Sequence, residues 1–152
     1  MKKNVLNTLT KTVSVFLLAV AAVSCGGDDS APVIPGTGGD ISIATGTFKG
    51  KITVYPAEGS STEYFDAEVT VTKISDNQLK VTPKAGEPYS VASAKTFQVD
   101  YSSAGGDNIY VTAVTGSPEG HFIYNHSNKS LNTLTEQQTA SEVIFAFEGT
   151  KQ

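Results

Sequence analysis

The sequence predicts an all-β fold: eight antiparallel strands in an up-and-down meander that closes into a barrel. Three observations lead there. From Gly46 onward the apolar residues recur with a period of two. Clusters of Gly, Asn, Asp, Ser and Pro interrupt that alternation about every ten residues, the punctuation expected of tight turns. All but one of the connections are short, which favours antiparallel pairing of consecutive strands.

The first strand is expected at 47–55, with Phe48, Ile52 and Val54 on one face and Lys49, Lys51 and Thr53 on the other. The second, 64–74, places Phe65, Ala67, Val69 and Val71 inward and Tyr64, Asp66 and Glu68 outward. A Ser75-Asp76-Asn77 turn leads to 78–82, with Leu79 and Val81 inward. The one long connection, Pro83 to Ala94, holds Tyr89 and Val91 as an expected edge piece. Strands at 95–102 (Phe97, Val99, Tyr101) and 108–115 (Ile109, Val111) flank a Gly105-Gly106-Asp107-Asn108 turn. Those at 121–126 (Phe122, Tyr124), 130–136 (Leu131, Leu134) and 142–150 (Val143, Phe145, Phe147) complete the set. No window carries a helical stripe: Leu131 and Leu134 are three apart, but Ser130, Thr133 and Thr135 beside them are poor helix formers. An immunoglobulin-like sandwich suits a similar number of short strands and is the alternative. Six phenylalanines (48, 65, 97, 122, 145, 147) are expected to fill the interior, with Gly50 and Ala67 the main small residues and at most a shallow pocket at one end.

The segment before the strands has a different character. Lys2, Lys3 and Lys11 precede a largely apolar run, Val13 to Val23, followed by Ser24, Cys25 and the polar Gly26-Gly27-Asp28-Asp29. That order is a secretory signal. The run rises only about 16 Å as a helix, against about 30 Å of hydrocarbon, so it is too short to span a bilayer. The cysteine at the junction resembles the lipobox of bacterial lipoproteins, which implies acylation of Cys25 and removal of residues 1–24. Several acyl chains, each buried CH₂ contributing about 0.8 kcal/mol, would make membrane lipid a permanent partner. Gly26, Gly27, Asp28 and Asp29 resemble the acidic export signal of Bacteroidetes lipoproteins destined for the outer surface. The implied location is the outer membrane, facing the cell exterior. Asp29-Ser30-Ala31 resembles a Bacteroidetes O-glycosylation sequon, making Ser30 a candidate acceptor. Residues 25–45, rich in Gly, Pro and Asp, are expected to form a flexible tether with a reach of roughly 25 Å.

Charge narrows the partners. The whole chain carries −4, but three of its eleven lysines and none of its fifteen acids precede Cys25, and it has no arginine. From Cys25 onward the chain therefore holds eight lysines against fifteen acids, a net −7. Nucleic acid is excluded as an expected partner, since phosphate binding relies on clustered Lys and Arg. With Cys25 acylated no disulfide can form, and the core must hold the fold alone.

No constellation of catalytic residues is present, so an enzyme is not expected, and no cofactor or metal is implied. His121 and His126 are the only histidines, and their odd spacing places them on opposite faces of one strand. Serines are many, but no nucleophile elbow surrounds any of them. Among the tyrosines, Tyr64 and Tyr110 lie out of phase with their strands' aliphatic residues, which makes them candidate outward-facing ligand contacts. Thr-Phe-Lys-Gly-Lys-Ile-Thr-Val, Val-Thr-Val-Thr-Lys-Ile-Ser-Asp-Asn and the closing Val-Ile-Phe-Ala-Phe-Glu-Gly-Thr-Lys resemble the calycin-like (lipocalin-like) lipoprotein domains of Bacteroidetes. The resemblance covers most of 46–152. It implies a barrel and at most a binding role, while the Gly-x-Trp fingerprint of lipocalins proper is absent. The functional expectation is a non-catalytic binding or accessory module for an outer-membrane protein or a glycan. The alternative is a structural subunit of an outer-membrane assembly.

Overall fold

Alternating apolar residues give each strand one wet and one dry face, and a curled sheet buries all its dry faces against one another. The computed structural model describes residues 39–152; Cys25, Gly26 to Asp29 and Ser30 lie outside them. Eight strands form a closed antiparallel barrel in sequence order. They are β1 (Gly46–Tyr55), β2 (Thr62–Ser75), β3 (Gln78–Pro83), β4 (Lys95–Ser103), β5 (Ile109–Ala113), β6 (Gly120–Asn125), β7 (Ser130–Thr135) and β8 (Ile144–Lys151). Each lies within two residues of its expected bounds. β1 pairs with β8 from Phe48↔Lys151 to Tyr55↔Ile144 as well as with β2, so the sheet closes on itself, although β2 is paired on its β3 side only from Val69 to Ser75. That closure excludes the sandwich.

The interior is filled by side chains. Phe48 meets Tyr124 edge-on at 5.8 Å between ring centroids, and Phe97 lies 5.5 Å from Phe122. These four rings are buried together with Phe145, Phe147, Leu79 and Leu131. Space for the Phe147 ring comes from Gly149, where a Cβ would lie 2.6 Å from it, and Gly149 heads a row of small residues across three strands, pairing with Gly50, which pairs with Ala67. A Cβ on Gly50 would land on the Glu148 carbonyl oxygen. Thr133 and Thr135 also point inward. Their hydroxyls donate to the His121 carbonyl (2.7 Å) and the Phe145 carbonyl (3.1 Å), which removes the cost of burying them.

β2 departs from the expected phase. Gly50 pairs with Ala67 but Ile52 pairs with Tyr64, so β2 holds one residue more than β1 across that step. The extra residue is accommodated at Asp66, whose φ of 58° is in the left-handed region. Below the bulge every side chain changes face. Tyr64 turns inward, half-buried against the core, and Phe65 turns out to 73% exposure. Both expected orientations are thereby reversed. Asp66→Gly should be tolerated, while Asp66→Val should lose about 1–2 kcal/mol in urea unfolding through left-handed backbone strain.

Both ends of the barrel are covered. Ile41–Ala44 forms a 3₁₀ turn with Ile41 and Ala44 buried, so the folded body begins inside the stretch expected as tether. The turn reaches both β2 and β4, which are not neighbours, and its Ile43 carbonyl accepts from Lys151 Nζ at 3.0 Å. It therefore lies across the mouth. Asp40 caps it through the Ser42 hydroxyl and the Ser42 amide, and Lys73 lies 3.3 Å away; these donors lower the Asp40 pKa to about 2. At the opposite end, Pro88–Val91 forms a second 3₁₀ turn rather than an edge strand, since Pro88 removes a donor. Tyr89 is buried there, stacked obliquely on Tyr64 at 5.7 Å, and its hydroxyl accepts the Glu68 amide at 3.0 Å.

Candidate functional site

A groove of about 330 Å³ runs over the outer face of β7, β8, β1 and β2. The strand register builds it from two transverse rows. In one, Leu134 pairs with Ala146, Ala146 with Thr53, and Thr53 with Glu63; in the other, Asn132 pairs with Glu148 and Glu148 with Lys51. Ala146 makes the depression. Its methyl lies between the larger Leu134 and Thr53, with Phe145 and Phe147 on either side turned into the core. Tyr55, one residue past the core-facing Val54, stands at the rim, 38% exposed, and Leu134 opposite is 43% exposed.

The polar side of the groove is organised around Glu63. Its Oε1 lies 3.3 Å from Lys51 Nζ, and the Thr53 hydroxyl approaches it at 3.4 Å. An exposed pair of this kind contributes little stability, typically about 0–1 kcal/mol, so it leaves both groups free to exchange partners. Glu148 is exposed and forms no ion pair among the described residues. Just beyond the lining, the bulge at Asp66 directs Phe65 outward beside Lys51.

The expected candidates sit elsewhere. Tyr64 faces the interior against Tyr89. Tyr110 does lie on the outer face, half-buried, with its hydroxyl 3.4 Å from Asn125 Nδ2, but on β5, away from the four groove strands. The two tyrosines are not brought together. His121 is exposed on β6, whereas His126 lies beyond that strand's end, its Nδ1 3.3 Å from the Tyr124 hydroxyl, whose pKa burial pushes up. Among the described residues no three His, Cys, Asp or Glu side chains gather as a metal site.

Sequence reasoning missed Tyr55, Leu134, Ala146, Asn132, Glu148 and the Lys51–Glu63 pair as one surface. A partial signal existed: Tyr55 is the only tyrosine of β1 and Ala146 the only small residue between two core phenylalanines in β8. What joins them is the closure register of β1 with β8 and of β8 with β7.

No known protein family, curated protein or solved structure matches the chain.

Proposed function

We propose that this chain is a lipid-anchored, surface-exposed lipoprotein of calycin-like type that binds its partner through the outside of the barrel and performs no chemistry. One observation carries the reading. The interior is occupied by packed aromatic rings and covered at both mouths, while a groove with aromatic, aliphatic and polar groups lies open on the outer face. Binding pockets commonly combine an apolar surface with a few convergent polar groups, and here that combination occurs outside. The basic segment, short apolar run and Cys25 support the anchor.

The anchor has a direct test. Cys25→Ala should move the protein from the membrane fraction to the soluble one. Retention on membranes at high salt, with the signal removed, would refute the lipoprotein assignment. On intact cells, added protease should digest the wild-type barrel domain; full protection would place it on the inner side of the membrane.

Phe65 favours a second reading, as a structural subunit of an outer-membrane assembly. At 73% exposure it is the most exposed large apolar side chain among the described residues, and a left-handed Asp66 holds it there. Buried aromatic anchors dominate protein interfaces. Phe65→Ser should then abolish co-purification with an outer-membrane protein while leaving the fold unchanged.

A further inference from the structure

Charge, edge closure and the chemistry of the lining separate the ligand classes that the outer groove can hold. Lys51 is already engaged by Glu63 at 3.3 Å, and Glu148 adds a second carboxylate with no ion pair among the described residues. A phosphate or other anion would meet two carboxylates against a single ammonium. An extended peptide lying in the groove could not add itself as a strand, because β7, β8, β1 and β2 beneath it are already paired with one another. A wholly apolar ligand would strip water from Asn132, Glu63 and Glu148 without replacing their hydrogen bonds.

A neutral saccharide meets none of these obstacles. Its hydroxyls both donate and accept, so they can bond to the carboxylates of Glu63 and Glu148, to the Asn132 amide and to Lys51. Its C–H face is apolar and weakly positive, matching the Ala146 floor and the ring of Tyr55, whose face is electron-rich. The volume, near 330 Å³, is at the small end of ligand sites and suits roughly one or two sugar rings. We propose that the β7–β8–β1–β2 groove is a saccharide-binding site, with Tyr55 as the stacking platform and Asn132, Glu63 and Glu148 as hydroxyl partners. The proposal rests on the outer-face binding reading above and names its ligand class.

The test uses the full chain in detergent micelles and calorimetric titration with neutral hexasaccharides of glucose, mannose, galactose and xylose, with hexalysine as the competing ligand. At least one saccharide should bind. Tyr55→Ala and Asn132→Ala should each weaken it about tenfold, the size expected for one well-placed contact. Ala146→Trp, which fills the groove from its outer face, should abolish binding, with circular dichroism unchanged in all three variants. Saccharide binding that survives Ala146→Trp would overturn the site. Hexalysine bound in place of any saccharide, and lost in Ala146→Trp, would overturn the ligand class while leaving the outer-face reading standing. Binding of neither overturns the saccharide assignment; if Ala146→Trp then also leaves co-purifying surface partners unchanged, the outer-face reading falls with it.

Discussion

Phe97→Ala is expected to lower unfolding free energy by about 3–5 kcal/mol, the cost of deleting a phenyl ring from a core that cannot collapse around the gap. Phe97 is fully buried on β4, paired across to Leu79, with its ring 5.5 Å from that of Phe122. Barrel strands are fixed in position by neighbours on both sides, so little movement inward can recover the lost contacts. A domain of this size has about 5–15 kcal/mol in total, and no disulfide supplements it because Cys25 is the single cysteine. Phe65→Ala supplies the contrast. The same deletion at an exposed site should change stability by no more than about 0.5 kcal/mol. Urea unfolding of the two variants side by side measures the difference. A loss below about 1 kcal/mol at Phe97, with uptake of an apolar probe, would show a ligand cavity where packed rings are described.

The contrast between two phenylalanines also marks where sequence reasoning succeeds and where it stops. Period-two alternation and turn residues are local signals, and they place all eight strands and most of the core, including Phe48, Phe97, Phe122, Phe145 and Phe147. Phe65 fails because Phe65, Ala67, Val69 and Val71 read as one unbroken phase. The residue that breaks it, Asp66, looks like any solvated acid until its backbone is seen in the left-handed region. Thr133 and Thr135 were invisible as core residues because their burial depends on carbonyls of β6 and β8, more than one turn away in sequence. Ile41 and Ala44 stand among Gly, Asp and Ser, so their composition reads as tether although they cover a barrel mouth. The groove depends on strand closure. Tyr55 and Leu134 are far apart in the chain, and only the pairing of β8 with both β1 and β7 sets them on opposite sides of Ala146.

Glu142→Ala is the second substitution with a large expected effect, about 3 kcal/mol, because it strands a buried cation. Lys95 is nearly enclosed, and its ammonium donates to Glu142 Oε1 at 2.5 Å and to the Glu136 carbonyl at 2.9 Å. Glu142 Oε2 accepts the Gln138 amide at 2.7 Å, so one carboxylate ties the β7–β8 loop both to itself and to the start of β4. Removing it leaves Lys95 with a single carbonyl partner, and uncompensated buried charge is the costly case. Replacing both partners, as in Lys95→Met with Glu142→Leu, should be close to neutral by the same reasoning, since both desolvation costs disappear with the pair. The pH dependence separates the two accounts. Hydrogen bonds from Lys95 and the Gln138 amide hold the Glu142 carboxyl below its ordinary value of 4.5. A depressed carboxyl contributes stability that is complete above the unfolded pKa and is lost as pH falls through the folded one. Wild-type stability should therefore drop relative to the double variant as pH falls below about 5, through the ordinary value of 4.5 and on through the lower folded one, while the slope from Asp40 is shared by both. Parallel curves across that window would mean that the pair is already open in solution, and that the β7–β8 loop is held by the Ser93 amide to Val143 carbonyl bond and packing instead.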